Sequence, residues 1–116
     1  MRAIILFFGL FLTIASAKAE TISACDADKY VGKLVTVEGV VSKVRAAPSG
    51  KATFINMCGS FPNNGFTGVV FSEDAAKFPG IDSLEGKTVD ITGRIQPYPG
   101  SFPEIILNDP SQLKVK

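Results

Sequence analysis

The fold is decided by the stretch GKLVTVEGVVSKV (residues 32–44), whose pattern returns as GKTVDITGRIQPY (residues 86–98). In both copies a Gly-Lys pair opens a run in which apolar and polar residues alternate, as is typical of strands that bury one face of an antiparallel sheet. Each copy has a glycine in mid-strand, Gly39 and Gly93. Such glycines usually mark a bend or a bulge. Two long, bent strands predict a small closed β-barrel.

Three shorter strands are predicted from mostly apolar runs between turn sequences, at residues 52–57 (ATFINM), 66–71 (FTGVVF) and 103–107 (PEIIL). A short helix is predicted between the third and fourth strands, where Ser72 is a suitable N-cap and Pro79-Gly80 must end the helix. The order is therefore three strands, a short helix and two strands. This order is typical of the all-β OB-fold, a five-stranded Greek-key barrel.

The alternation along the strands also predicts which side chains form the core. The predicted core consists of the inward-facing positions of the two long strands, together with one residue of the second strand and one residue of the fifth. We expect the following residues to be buried together: Val35, Val37, Val41, Phe54, Val89, Ile91, Ile95 and Ile105.

An export signal is predicted at residues 1–19, followed by a single OB-fold domain at residues 20–116. Arg2 precedes an apolar run that is too short to span a membrane, and Ala17-Lys18-Ala19 has small residues where a signal peptidase cleaves. Cleavage after Ala17 is the alternative. The sequence therefore predicts a periplasmic or secreted protein with no transmembrane anchor in its mature chain.

The net charge of the predicted mature chain argues against a generic polyanion binder. Loss of Arg2 and Lys18 leaves 10 of the 12 basic residues against 11 acidic ones, a net charge of −1. Non-specific nucleic-acid binding depends mostly on neutralising phosphates. Any affinity for nucleic acid must therefore come from a local patch.

Cys25 and Cys58 are the two cysteines of the chain. In an oxidising compartment a disulfide between them is expected, and two buried free thiols are the alternative. A third interpretation concerns Cys25 alone, because Ile22-Ser23-Ala24-Cys25 resembles the box at which bacterial lipoproteins are acylated. In lipoprotein signals the apolar core runs nearly up to that box, whereas Lys18 and Glu20 intervene here.

The sequence predicts no enzyme, no cofactor and no metal site. It contains no histidine, no phosphate-binding loop and no nucleophile elbow. Glu38 and Asp90 occupy nearly equivalent positions on the two long strands, but alternating polar residues on a half-exposed sheet explain them without catalysis. Glu104 is interpreted as the polar side of the fifth strand.

A ligand-binding surface is the best functional hypothesis from individual residues. Basic residues cluster around the first turn, and aromatic residues occur in loops that an OB barrel places along the same side. Positive groups follow a nucleic-acid backbone while aromatic rings stack on bases or sugars. The candidate ligand-binding residues are Lys43, Arg45, Lys51, Phe61, Tyr98 and Phe102. A solvated hairpin end and aromatic caps over the barrel mouth are the alternatives.

Five segments in order, YVGKLVTVEGVVSKV, ATFINM, FTGVVFSEDAAKF, GKTVDITGRI and FPEIILNDPSQLKV, resemble small exported bacterial OB-fold domains described as nucleic-acid-binding. The resemblance covers residues 24–115 and implies an OB-fold and a nucleic-acid ligand. Those domains tend to have a Leu-Asn-Leu strand followed by a Tyr-Pro turn. This chain instead has Ile55-Asn56-Met57-Cys58 and then Phe61-Pro62.

Two functions follow as hypotheses. The first is an exported OB-fold binding module for single-stranded nucleic acid or an oligosaccharide. The second is a non-enzymatic structural or protein-interaction domain whose partner is an envelope protein.

Overall fold

The computed structural model describes residues 19–59, 61–97 and 102–116, and nearly all of the predicted export signal lies outside them. The described residues form seven β-strands and four short 3₁₀ helices. The strands are β1 (Glu20–Ser23), β2 (Leu34–Ala46), β3 (Ala52–Met57), β4 (Phe66–Phe71), β5 (Thr88–Arg94), β6 (Glu104–Ile106) and β7 (Leu113–Val115). The 3₁₀ helices are Ala24–Tyr30, Ser72–Lys77, Ile81–Leu84 and Pro110–Gln112.

The strands pair in the order β6-β4-β3-β2-β5-β7, and β1 pairs in parallel with β2. The long strand β2 belongs to both halves of the sheet, because its first half pairs with β5 and its second half pairs with β3. The architecture is mostly β and OB-like, as predicted, with four short 3₁₀ helices in the described part of the chain. The predicted count of five strands is wrong, since β1 and β7 extend the sheet at its edges.

The predicted closed barrel is not formed within the described residues, because the strand ladder is not continuous from β6 around to β5. Within the described residues, an isolated antiparallel bridge between Gln96 and Glu104 joins the end of β5 to the start of β6. The connection from β4 to β5 contains two 3₁₀ helices, Ser72–Lys77 and Ile81–Leu84, instead of one helix. Phe71, and not Ser72, occupies the N-cap position of the first of them.

Seven of the eight predicted core residues are buried, and Phe54 is not among them. Ile55 is 0% exposed and takes the inward position on β3. The prediction for β3 was wrong because this strand has large apolar side chains on both faces. The alternation of its side chains therefore does not show which face is buried. Phe54 lies on the opposite face of β3, which points away from the core.

The two mid-strand glycines are explained by close packing and not by bulges. The β2–β5 ladder is continuous through both, and the register shift lies farther along β2, between Val41 and Lys43. A Cβ atom at Gly93 would lie 2.5 Å from Cγ2 of Ile105. At Gly39 it would lie 3.0 Å from Cβ of Ala24. These positions therefore require glycine because another element packs directly on the strand.

A disulfide joins Cys25 to Cys58, with their Cα atoms 5.3 Å apart, so the predicted pairing is confirmed. It fastens the 3₁₀ helix Ala24–Tyr30 to the end of β3, and Ser23 caps that helix by accepting a hydrogen bond from the Cys25 N–H. A sulfur in a disulfide has no thiol left for acylation, which argues against lipid attachment at Cys25. No helix of the described part is long and apolar enough to cross a membrane.

Candidate binding groove

A groove of about 380 Å³ lies on the outer face of β2, β3 and β4, opposite the core. The strand register explains which side chains reach it, because directly opposed residues on neighbouring strands share a face. Arg45, Phe54 and Val69 form one such row across the three strands. Asn56, Thr67 and Glu104 form a second row from β3 across β4 to β6.

Arg45 lies between two aromatic rings at one side of the groove. Its guanidinium carbon is 4.1 Å from the ring centroid of Phe61 and 5.0 Å from that of Phe54. Both distances are within the range of cation–π attraction. The arginine therefore packs against the aromatic side of the groove, and its Nε atom is buried without a hydrogen-bond partner in the described part of the chain.

Further aromatic rings and a second cation complete the walls. Phe71 and Phe102 both line the groove, so that four phenylalanines contribute to it. Lys51 also lines it and is exposed to solvent. The groove therefore combines ring faces with two positive side chains.

A chain of buried polar groups lies beneath the groove. The Nδ2 of Asn64 donates to Oγ1 of Thr67 at 2.8 Å and to the carbonyl of Phe66 at 3.0 Å. The Thr67 hydroxyl in turn donates to Oδ1 of Asn56 at 3.2 Å. Asn56 is 1% exposed, and its Nδ2 has no partner within the described residues. This side chain is thus fixed at one end and has an unused donor at the other.

Glu104 is the acidic residue of the groove. Its backbone is held on both sides, by hydrogen bonds with Gln96 and by the parallel ladder with Thr67. Burial raises the pKa of the Glu104 carboxyl, because the ionised form is poorly solvated there. No ion pair to Glu104 occurs within residues 19–59, 61–97 and 102–116.

The structure brings four of the six predicted ligand-binding residues together. Arg45, Lys51, Phe61 and Phe102 line the groove. Lys43 lies opposite Asn56 in the register, but it is not among the lining residues, and its amine is 3.9 Å from a carboxylate oxygen of Glu85. Tyr98 lies outside the described residues.

Sequence reasoning missed several residues that line the groove. They are Phe54, Asn56, Thr67, Phe71 and Glu104. The alternation of side chains between the two faces of each strand could have identified most of them, but only once it was known which face of β3 is buried. Phe54 had been assigned to the core, and Glu104 had been interpreted as the polar side of its strand.

The carboxylates Glu38 and Asp90 lie opposite each other on β2 and β5, away from the groove. Nζ of Lys116 is 2.9 Å from Glu38 and 3.8 Å from Asp90. The hydrogen bond and charge of Lys116 lower the pKa of Glu38, while burial and the nearby Glu38 raise the pKa of Asp90. The pair thus shares one ammonium group on the polar face of the sheet.

No protein-family model and no curated protein matches this chain. Several solved structures resemble it in fold. OBody AM1L10, bound to hen egg-white lysozyme, aligns with a TM-score of 0.57 and 15% identity over 88% of this chain and 98% of that one. An Entamoeba histolytica asparaginyl-tRNA synthetase aligns with a TM-score of 0.53 and 21% identity over 86% of this chain and 24% of that one.

A Klebsiella pneumoniae protein assigned as a nucleic acid-binding lipoprotein also aligns, with a TM-score of 0.52 and 18% identity over 84% of this chain and 92% of that one. The present chain spans about a quarter of the synthetase, whose remaining domains have no counterpart in the alignment. Identities this low establish similarity of fold alone. Together the matches show that the chain has an OB-like fold.

Proposed function

We propose that this chain is an exported, non-enzymatic OB-type module that binds single-stranded nucleic acid in the groove across β2, β3 and β4. The observation that carries the proposal is the arrangement of Arg45 between Phe54 and Phe61, with Phe71 and Phe102 on the same groove. Aromatic ring faces are the surfaces on which unstacked bases lie in sequence-tolerant single-strand binders. Export is supported by the predicted signal sequence and by the disulfide.

The charges of the groove favour stacking over phosphate contacts as the main source of affinity. Arg45 and Lys51 are the basic side chains among its lining residues. Two phosphate contacts on a single strand correspond to a slope of about −1.4 in a plot of log affinity against log salt. A generic polyanion binder would show a much steeper slope. The proposal therefore requires weak salt dependence together with a strong effect of the aromatic residues.

The test is a fluorescence-anisotropy titration of the mature chain with a single-stranded oligonucleotide of about 12 nucleotides, within the range that one OB domain covers. Measurements at about 50 mM and about 200 mM salt give the slope. Saturable binding with a shallow slope would support the proposal. An uncharged oligosaccharide is the matched competitor, because it can stack on the rings but has no phosphate.

Two results would overturn the nucleic-acid assignment. Binding of the oligosaccharide in preference to the oligonucleotide would assign the groove to sugars. Absence of oligonucleotide binding even at low salt would leave interaction with an envelope protein as the function to test.

A further inference from the structure

The Cys25–Cys58 disulfide lies at the base of the loop that carries Phe61. Cys58 directly follows the last residue of β3, and Phe61 comes shortly after it in the chain. Phe61 in turn contacts the guanidinium of Arg45 at the side of the groove. The covalent bond to the 3₁₀ helix Ala24–Tyr30 is therefore made at the start of the segment that brings this ring to the groove.

The backbone of Cys58 has a conformation that depends on contacts with other residues. Its φ is 61°, in the left-handed region that residues other than glycine rarely adopt. Such a conformation persists where the surrounding structure holds it. The disulfide is one such restraint, and the N–H of Gly65, which donates to the Cys58 carbonyl at 2.7 Å, is another. Since Cys58 sets the direction in which the loop leaves β3, loss of the disulfide would change the path of the loop toward Phe61.

The strands on either side of the loop do not need the disulfide for their pairing. The ladder between β3 and β4 extends to Met57 and Phe66, next to the two ends of the loop. Near the second end, Asn64 is 2% exposed and donates to the Phe66 carbonyl. The 3₁₀ helix that carries Cys25 is held separately, because two of its alanines are buried in the core. Breaking the disulfide would therefore release the start of the loop and leave the sheet in place.

The disulfide is open to attack from solvent. Cys25 is exposed, whereas Cys58 is half-buried and packs against the core. A cleft of about 410 Å³ borders both cysteines, and residues of β2, among them Glu38 and Val40, line its other side. An incoming thiolate can therefore reach the sulfur of Cys25 through this cleft.

We propose that the Cys25–Cys58 disulfide positions Phe61 for ligand binding, and that the dithiol of a thiol–disulfide oxidoreductase switches the groove off by reducing it. For its ligand this inference rests on the proposed function. One thiolate of the dithiol attacks Sγ of Cys25, the S–S bond breaks, and Cys58 leaves as a thiolate that takes up a proton. The second thiolate attacks the mixed disulfide, and Cys25 leaves and is protonated in turn. Two electrons and two protons thus pass from the dithiol, which becomes a disulfide, to the cysteine pair.

The first test follows the position of Phe61 without any ligand. A hydrogen that lies over the face of an aromatic ring resonates upfield, so the Nε–H signal of Arg45 reports the contact with Phe61. Arg94, the other arginine of the predicted mature chain, donates to the Gly32 carbonyl outside the groove and is the internal reference. In heteronuclear NMR spectra of the mature chain, we expect dithiothreitol to move the Arg45 signal toward its position in the Phe61→Ala variant. The Arg94 signal and the amide signals of β2 and β5 should stay in place.

The second test measures binding of an all-thymine oligonucleotide by fluorescence anisotropy before and after reduction. We expect reduction to weaken binding by about fivefold or more, the lower limit for the loss of one stacked base, and reoxidation to restore it. The double variant Cys25→Ser with Cys58→Ser is the matched control. It should show the weak binding and the displaced Arg45 signal without any reductant, and dithiothreitol should change neither.

The outcomes separate this inference from the proposed function. If the oxidised chain binds no oligonucleotide, the proposed function fails, and the Arg45 signal still decides whether the disulfide positions Phe61. If the folded chain resists reduction, or if reduction leaves binding unchanged, the switch is wrong and the binding function stands. If the amide signals of β2 and β5 collapse on reduction, the disulfide is a structural crosslink only, which also overturns the inference.

Discussion

The guanidinium carbon of Arg45 lies 4.1 Å from the ring centroid of Phe61, and this contact joins β2 to the loop that follows β3. Phe61 is 53% exposed, so the arginine covers one face of a ring that is otherwise open to solvent. The same loop is anchored where Gly65 donates to the carbonyl of Cys58 at 2.7 Å, next to the disulfide. The loop on this side of the groove is therefore held by the contact between Arg45 and Phe61 and by the neighbouring disulfide.

Phe61→Ala is expected to weaken oligonucleotide binding by about 1 to 3 kcal/mol, because a stacked base would lose its aromatic platform. The salt slope should not change, since no positive charge is removed. The control is Leu34→Ala, which removes a 55% exposed side chain that does not line the groove. The two variants are compared by anisotropy titration. Equal losses would show that Phe61 does not contact the ligand.

Lys51→Gln is expected to flatten the salt dependence of binding by about 0.7 in slope, the contribution of one phosphate on a single strand. Lys43→Gln is the matched control, because the Lys43 amine lies near Glu85 and outside the groove. It should leave the slope nearly unchanged. A flatter salt dependence in both variants would mean that the bound oligonucleotide extends past the groove along β2.

Replacing both cysteines, as in Cys25→Ser with Cys58→Ser, is expected to lower the free energy of unfolding by about 3 to 4 kcal/mol. The disulfide closes a loop between residues 33 positions apart, and the chain-entropy model gives this loss for a loop of that length. Urea unfolding of the two proteins measures the difference. As a separate check, the denatured, unreduced protein should contain no free thiol, and a count of two would contradict the pairing.

Ile91→Ala is expected to cost about 2 to 5 kcal/mol of stability, because the side chain is 0% exposed and its removal leaves a cavity. Leu34→Ala, at an exposed position on the neighbouring strand, should cost about 0.5 kcal/mol or less. Urea denaturation of both variants gives the comparison. A loss well under 1 kcal/mol for Ile91→Ala would place this residue at the surface and contradict the register between β2 and β5.

Glu104→Gln is expected to raise stability more at about pH 7 than at about pH 3. Burial raises the pKa of Glu104 in the folded state, so the folded chain holds this proton to a higher pH than the unfolded chain does. The contribution of Glu104 to stability therefore falls as the pH rises from its unfolded pKa through its folded pKa. Below both values the carboxyl is neutral in both states, and the gain disappears. Urea unfolding at the two pH values tests this, and an equal gain at both would contradict it.

Much of the fold could be predicted from the sequence, because apolar and polar residues alternate along β2 and β5. The inward residues Val35, Val37, Val89 and Ile91 alternate with polar neighbours, and that alternation fixes both the strand and its buried face. The disulfide was also predictable, since the chain has two cysteines and a predicted export signal. Arg45, Lys51, Phe61 and Phe102 could be named as a candidate surface from residue type and loop position alone.

The tertiary structure decided the edge strands, the buried face of β3 and the contacts within the groove, which the local sequence pattern does not determine. β1 and β7 are short edge strands that form by pairing with distant residues, so their own sequences do not identify them. In β3 both faces are apolar, and the choice between Phe54 and Ile55 as the core residue depends on what packs against each face. The Asn56 amide is held by a hydrogen bond from Thr67 on β4, and Glu104 lies beside the same residue in the parallel ladder. Burial and hydrogen-bond pairing depend on contacts between residues far apart in sequence, and for that reason the chemistry of the groove emerged only from the folded chain.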